Sequence, residues 1–431
     1  MVSESFEANI ESLSPEGRGV AHVDGKVVFI DGALTGERVR YKRVRKRGRY
    51  DEGTIVQVIE ASPQRVAPQC AHTDLCGGCA LQHFDADAQI LHKQQVLLDQ
   101  LQHVTGLVPV ELLAPLRGPV WGYRNKARLA VKYVAKKGGA LVGFREKRKP
   151  YVADIQGCEV LHPAVGAKLL HLRALVNDLS GSNRIPQIEV AIGDQSVALV
   201  VRHLTALTDA DLRALADFSA DEDVDIYLQP GGPETAEPLG EVRRLSYELP
   251  GHEIEIDFFP TDFTQVNPTL NREMVDLVVE LLSPGPDTKV LDLFCGLGNF
   301  TLPLAKRSGA VLGLEGSQVL VQRAAENAAR NNISNAEFLC TDLSVPGGTH
   351  MRTSFDLVLL DPPRTGAREI LEAMSLVSTH RVVYVSCNSS TFSRDAAILT
   401  EKHGFRLFRA GVIDMFPHTS HVESVALFER L

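Results

Sequence analysis

The stretch Val290-Leu-Asp-Leu-Phe-Cys-Gly-Leu-Gly-Asn-Phe300 decides how this chain of 431 residues is read. An apolar run ends in a turn carrying Gly296 and Gly298, and a helical pattern follows. In a doubly wound sheet, ligands bind beyond the carboxyl ends of the strands, where glycines let the backbone approach them. The texture repeats downstream. Strands are expected at 289–294, 310–314, 336–339, 355–360, 381–386 and 424–428, alternating with helical patterns. That alternation predicts a Rossmann-like α/β domain over residues 261–431, its parallel sheet covered on both faces.

Two further domains are expected upstream, because one core rarely extends past roughly 250 residues. Residues 1–61 read as a small β-barrel, with Gly17-Arg-Gly19, Asp24-Gly25 and Asp31-Gly32 punctuating β-branched runs. Residues 62–260 read as an α+β domain with cysteine-bearing loops, a helix over about 85–102 and a hairpin of 185–192 and 196–202 about Gly193-Asp194. The predicted fold class is therefore multidomain: β-barrel, α+β centre, C-terminal α/β.

At 44% hydrophobic and 23% charged, the composition is that of ordinary globular protein. No basic segment leads into an apolar run, and no stretch reaches roughly 18 apolar residues, so neither signal peptide nor membrane span is expected. A cytoplasmic monomer follows as the expectation. The net charge of -9 argues weakly against nucleic acid, but a polyanion feels the local field. Eight lysines and arginines lie between Arg38 and Arg49, and ten lie between Arg124 and Lys149 against the single acid Glu146. One such run is as easily a solvated strand; two are harder to dismiss.

Glu315 argues for the ligand. It ends the second expected strand, where a carboxylate can accept hydrogen bonds from both ribose hydroxyls. Asp342 follows the third strand, placed for the adenine, and Asp361 closes the fourth beside the expected methionine moiety. Acids at successive strand ends suit a ribose and a cationic sulfonium and would repel a pyrophosphate. The loop also lacks the third glycine of a dinucleotide fingerprint. S-adenosylmethionine therefore fits better than a nicotinamide dinucleotide. Gln265, in Asp262-Phe-Thr-Gln-Val-Asn267, offers an amide to the cofactor or a base edge.

Cys387 stands at the end of the fifth strand, before Asn388-Ser-Ser-Thr391, where a helix should start. A helix N-terminus lowers a thiol pKa, which predicts an activated nucleophile there. Cys295 and Cys340 read instead as inert cysteines of the sheet core or edge. Arg364 after Asp361-Pro-Pro363, where an aromatic would grip a flipped amine, disfavours amine methylation. A thiolate is needed when the target is the C5 carbon of uracil: addition at C6 makes an enolate whose C5 can attack the sulfonium methyl. A base must then take the C5 proton. Glu423 is the best candidate, with His418 and His421 as rivals.

Seven cysteines, without a secretion signal, point to metal or catalysis before disulfides. Cys70, Cys76 and Cys79, with Gly77-Gly78 in the turn, have metal-site spacing, and Cys158 is the only nearby candidate for a fourth ligand. Spacing alone leaves zinc and iron-sulfur equal.

Taken together, these residues resemble the 23S ribosomal RNA uracil-C5 methyltransferases that carry a TRAM domain, over essentially the whole chain. The resemblance rests on the basic barrel, the four cysteines, Gln265-Val-Asn267, the glycine loop, Asp361-Pro-Pro-Arg364, Ser386-Cys-Asn388 and His421-Val-Glu-Ser424. It implies a [4Fe-4S] cluster on Cys70, Cys76, Cys79 and Cys158, with Cys387 as nucleophile and Glu423 as base. It further implies S-adenosylmethionine contacts from Gln265, Phe294, Asn299, Glu315, Asp342 and Asp361. Family members usually have proline after Ser-Cys-Asn; here it is Ser389, which loosens the loop and leaves the thiol in place. The resemblance implies 23S ribosomal RNA as partner, at position 1939, because the paired barrel and cluster favour ribosomal over transfer RNA. Tyr123 and Tyr151 are stacking candidates for unpaired bases. The alternatives are another ribosomal site, transfer RNA, or cytosine C5, whose enzymes usually show a second cysteine after proline. From another class comes a non-catalytic iron-sulfur RNA-binding protein.

Overall fold

A computed structural model describes residues 5–345 and 354–430 of the protein. The C-terminal sheet has eight strands. Its parallel part runs in the spatial order Ala336–Cys340, Ala310–Glu315, Lys289–Leu293, Leu357–Leu360 and Arg381–Ser386. Glu423–Glu429 then joins antiparallel to Arg381–Ser386, followed by Arg406–Ile413. The chain winds outward in both directions from Lys289–Leu293, so the topological switch point lies between that strand and Leu357–Leu360. Ligand sites form at such a point, beyond the carboxyl ends of the strands.

Alternation along these strands feeds two cores. Val290, Leu359, Val383 and Leu427 face one way, onto helix Pro268–Leu282 with Leu270, Met274 and Val278. Leu291, Leu360, Tyr384 and Phe428 face the other, onto Ile90, Leu97 and Leu101 of helix Ala86–Thr105. Each of these fully buried aliphatic side chains contributes roughly 1.5–3 kcal/mol. Asp85 caps that helix by accepting from the Asp87 and Ala88 N–H groups at 3.1 Å, and Gly106 ends it at φ 69°. The segment after it adds Glu111–Leu112 as the last strand of the same sheet, parallel to Arg406–Ile413. Residues 86–112 thus lie within the sequence span of the central domain and pack with the C-terminal one.

The N-terminal six-stranded sheet closes around Ala21, Val28, Ile30, Val39 and Tyr41. Gly53 is required there, since a Cβ would lie 2.6 Å from the Tyr41 ring. The central unit is a second six-stranded sheet in which Gln187–Ile192 and Val197–Arg202 form the expected hairpin. The second basic cluster touches the barrel, where Arg148 pairs with Asp31. Arg38, Arg40 and Arg43 are spent on Glu7, Glu60 and Asp51. Among the described residues Lys42, Arg45, Lys46, Arg47 and Arg49 have no ion-pair partner and are exposed. No described helix is long and apolar enough to cross a membrane.

Candidate active site

A cavity of about 500 Å³ opens at the switch point. Its walls carry Gln265, Phe294, Asn299, Glu315 and Asp361, and at one end Cys387 and Glu423. Five of the six expected cofactor residues therefore converge on it. Asp342 does not: it is exposed beyond the cavity, its carboxylate accepting from the Ser344 N–H at 2.9 Å and hydroxyl at 2.6 Å. The sequence places it correctly after its strand, but the turn aims it at its own loop.

The glycine loop is built around left-handed backbone. Phe294 has φ 68°, Gly296 54° and Gly298 90°, and the Phe294 and Cys295 N–H groups donate to the Leu314 carbonyl at 2.8 and 3.0 Å. A phenylalanine held at positive φ is strain that the surrounding structure imposes, and such strain clusters at ligand sites. Glu315 tethers the loop, accepting from the Gly296 N–H at 3.2 Å and the Ser317 N–H at 3.0 Å. Asn299 is locked in a reciprocal amide pair with Asn271, at 2.9 and 3.0 Å, and accepts from the Tyr247 hydroxyl at 2.9 Å. Asn271 and Tyr247 carried no sequence signal of their own. In Gln265-Val-Asn267 the roles divide: Gln265 faces the cavity, Val266 is buried, and Asn267 caps helix Pro268–Leu282.

Cys387 and Glu423 are brought together by register. Arg381–Ser386 and Glu423–Glu429 run antiparallel with Ser386 opposite Ser424, so the next facing positions are Cys387 and Glu423. Directly opposed residues in such a ladder have Cβ atoms about 4.5–5.5 Å apart. Cys387 precedes helix Ser389–Ala397, whose cap is Asn388, its side chain accepting from the Ser390 N–H at 3.1 Å. Ser389 thus occupies the first helical position, where proline is well tolerated. With serine there, Asn388 keeps the turn in place by donating to the Arg364 carbonyl at 3.0 Å.

The expected lowering of the Cys387 thiol is overturned. Burial, then the charges of Glu423 and Asp361, push it up to about 11 against the opposing pull of Arg364 and the backbone. Burial and Asp361 likewise push Glu423 up to about 8, with Arg364 and Lys93 opposing, and burial pushes Asp361 up to about 7. Asp292, beneath the loop, rises to about 7 through burial despite accepting from the Thr301 hydroxyl at 2.6 Å. Among the described residues that line the cavity, Glu315, Asp361 and Glu423 are the acids and Arg364 is the one lysine or arginine, its guanidinium 3.4 Å from His421 Nδ1. The sequence drew attention to Arg364 only for what it disfavours; here it is the charge that tempers both reactive groups.

Of the rival histidines, His421 lines the cavity and His418 is buried outside it. Tyr123 is no stacking platform: it is buried, its hydroxyl donating to the Pro417 carbonyl at 3.1 Å, whereas Tyr151 is exposed. Cys295 is buried as expected, but Cys340 is exposed at the end of its edge strand.

Cys70, Cys76, Cys79 and Cys158 line a second, separate pocket with Phe144, Ile155 and Arg124. The His72 N–H points at Cys70 Sγ and the Gly78 N–H at Cys76 Sγ, each at 3.4 Å, donors that favour thiolate sulfur. Among the described residues no group of three or more His, Cys, Asp or Glu side chains is arranged to hold a single metal ion.

Comparison with known proteins agrees with this geometry. Residues 243–344 and 348–431 match the tRNA (Uracil-5-)-methyltransferase family, and residues 1–42 match the TRAM domain. The 23S rRNA (uracil(1939)-C(5))-methyltransferase RlmD of Alkalilimnicola ehrlichii is 51% identical, the match covering 99% of this chain and 97% of that one. The enzyme of the same name from Alcanivorax borkumensis is 52% identical over 98% and 96%. Among solved structures, a Pyrococcus abyssi tRNA (uracil-54, C5)-methyltransferase in complex with S-adenosyl-L-homocysteine shares the fold at a TM-score of 0.73 and 24% identity, over 98% of this chain and 100% of that one. Half-identity along nearly the whole length, with a thiol and a carboxyl paired across two strands at the mouth of the sheet's ligand cavity, leaves one conclusion: the chain belongs to the RNA uracil-C5 methyltransferase family, among its TRAM-bearing 23S ribosomal RNA members.

Proposed function

We propose that this protein methylates the C5 carbon of the uridine at position 1939 of 23S ribosomal RNA, using S-adenosylmethionine and a covalent bond from Cys387 to C6. The observation that carries the reading is the pairing of Cys387 with Glu423 at the end of the cavity lined by Gln265, Phe294, Asn299, Glu315 and Asp361. S-adenosylmethionine supplies, when bound, an electrophilic methyl on a cationic sulfur. Cys387 gives its proton to solvent and adds to C6, making an enolate whose C5 would take the methyl as the sulfonium's carbon–sulfur bond breaks and leaves a neutral thioether. Glu423, ionised, takes the C5 proton after methylation, and Cys387 then leaves. Arg364 steadies the thiolate while it exists. Exclusion of water by the buried walls keeps these charges effective.

Asp361 makes the cofactor step pH-dependent. Its pKa of about 7 leaves it protonated below that pH and anionic above it, and only the anion attracts a sulfonium. Affinity for S-adenosylmethionine should therefore rise from pH 6 to pH 8, by up to about tenfold per unit below the pKa. S-adenosylhomocysteine, whose sulfur is neutral, should show little of this. Calorimetric titration of both ligands checks it; parallel pH curves for the two would remove Asp361 from that role.

Cys70, Cys76, Cys79 and Cys158 would hold the [4Fe-4S] cluster. Four thiols on one pocket wall, with N–H donors on two sulfurs and an apolar surround, suit thiolate ligation. A cluster spreads its ligands more widely than a single zinc does, in keeping with side chains that share a pocket without closing on one ion.

Architecture alone does not select ribosomal over transfer RNA. The Pyrococcus abyssi transfer RNA enzyme shares the fold across 98% of this chain, so the barrel is not confined to ribosomal RNA enzymes. The ribosomal reading rests instead on half-identity to the ribosomal enzymes. Unmodified 23S ribosomal RNA and transfer RNA, incubated side by side with labelled cofactor, decide it: 5-methyluridine at one 23S position is expected, and label in transfer RNA alone would overturn the substrate. RNA affinity should also fall with salt, at a log-log slope of about -0.7 per phosphate contacted. Reversing Lys42, Arg45 and Lys46 to glutamate should flatten that slope, and an unchanged slope would return the strand to a merely solvated face.

A further inference from the structure

Residues 415–423 carry Phe416, His421 and Glu423 into the active cavity, yet 415–422 have no helix or strand of their own. Their position is imposed from elsewhere. Lys93 Nζ donates to Asp414 Oδ1 at 2.6 Å and to the Phe416 carbonyl at 2.9 Å, and Tyr123 holds the Pro417 carbonyl. His418 is the most heavily anchored. Its carbonyl accepts from the N–H groups of both Ala80 and Leu81, at 2.9 Å each, and its own N–H donates to Gln89 Oε1 at 2.8 Å. The same Gln89 donates to the carbonyls of Leu81 and Phe84, at 3.1 and 2.7 Å, closing the clamp. The His418 ring lies on Trp121 with centroids 4.1 Å apart, and its backbone sits at φ 64°, which a histidine keeps only where its surroundings impose it.

Ala80 and Leu81 directly follow Cys79. The four-cysteine site and the loop bearing Glu423 are therefore joined by two main-chain hydrogen bonds, although far apart in sequence. We propose that the metal-loaded cysteine site is the anchor of the catalytic loop: by fixing Cys79, it holds the Ala80 and Leu81 amides on the His418 carbonyl, and so keeps His421 and Glu423 against Cys387. His418 is then a positioning residue and not a base, and loss of metal acts on the loop before it acts on cofactor binding. The inference rests on the reading of the four cysteines as a metal site, which iron and sulfide analysis of the purified protein tests separately.

The experiment is amide hydrogen exchange on the full chain, before and after iron is removed by reduction and chelation, with S-adenosylhomocysteine affinity measured alongside. Exchange across 416–423 should quicken at least tenfold while cofactor affinity stays within threefold. Iron lost with unchanged exchange there overturns the anchor alone; a purified protein without iron overturns the metal reading; affinity lost in parallel means general unfolding and also overturns the anchor. A Gln89→Met variant that retains its iron provides the second measurement. Its kcat should fall at least tenfold with KM for RNA within threefold and faster exchange in 416–423, and Gln89→Glu, which keeps the acceptor for the His418 N–H, should recover part of the loss. Wild-type kcat in an iron-loaded Gln89→Met protein would also overturn it.

Discussion

Replacing Cys387 with alanine should abolish methyl transfer, lowering turnover by about 10⁴-fold or more, as removal of a covalent nucleophile does elsewhere. The variant should form no covalent adduct with RNA containing 5-fluorouridine, whose C5 fluorine blocks the proton removal that would otherwise release the enzyme. Cofactor affinity should be retained, because Phe294, Asn299 and Glu315, the residues proposed to hold the ribose and adenine, line the cavity independently of the thiol. Gel shift after denaturation measures the adduct and calorimetry the cofactor. The thiol is protonated at rest, pushed up to about 11, so its reactivity depends on what arrives in the cavity. A cation beside Asp361 and Glu423 offsets the negative field that holds the thiol's proton on. Adduct formation in wild type should therefore be faster with cofactor bound than without it. An adduct that survives in Cys387→Ala would move the nucleophile elsewhere.

The sheet was largely legible because its strands are continuous β-branched and aliphatic runs, which identify themselves locally. Arg406–Ile413 was not: Arg409 and Gly411 interrupt the run, and its ladder carries an irregularity between Leu407 and Arg409. Helix Ala86–Thr105 was visible as a helix, but the surface it covers, helix Ser389–Ala397 and strand Arg406–Ile413, lies about three hundred residues downstream, and no local pattern carries a partner's identity. The site shows the same division. Positions at strand ends could be read from the sequence, which is why Glu315 and Asp361 face one cavity; Gln265, Phe294 and Asn299, named by the family resemblance, line it with them. Directions could not: Asp342 turns to Ser344, and Tyr123 points inward to Pro417. The thiol's pKa failed for a related reason. A helix N-terminus is visible in sequence, whereas burial and two facing carboxyls arise only when distant strands pair.

Glu423→Gln should trap the covalent enzyme-RNA complex. Glu423 is 4% exposed, and its Oε2 is buried with no hydrogen-bond partner among the described residues, so one carboxylate oxygen is free to accept a proton. Glutamine preserves shape and cannot accept it. Thiol addition and methyl transfer proceed in the variant, proton removal fails, and turnover should drop about 10²–10⁴-fold while adduct with ordinary uridine RNA accumulates. The pH profile supplies an independent sign. With a pKa raised to about 8, Glu423 is protonated and useless as a base below that value, so wild-type turnover should rise with pH toward it, and the variant should lose that limb. His418 cannot replace the lost base, being buried outside the cavity and pushed down to about 4 by burial. His421 could, since it lines the same cavity beside Arg364. A Glu423→Gln protein with wild-type turnover and no trapped adduct would therefore pass the role to His421, and a His421→Ala variant that then traps the adduct would complete the reassignment.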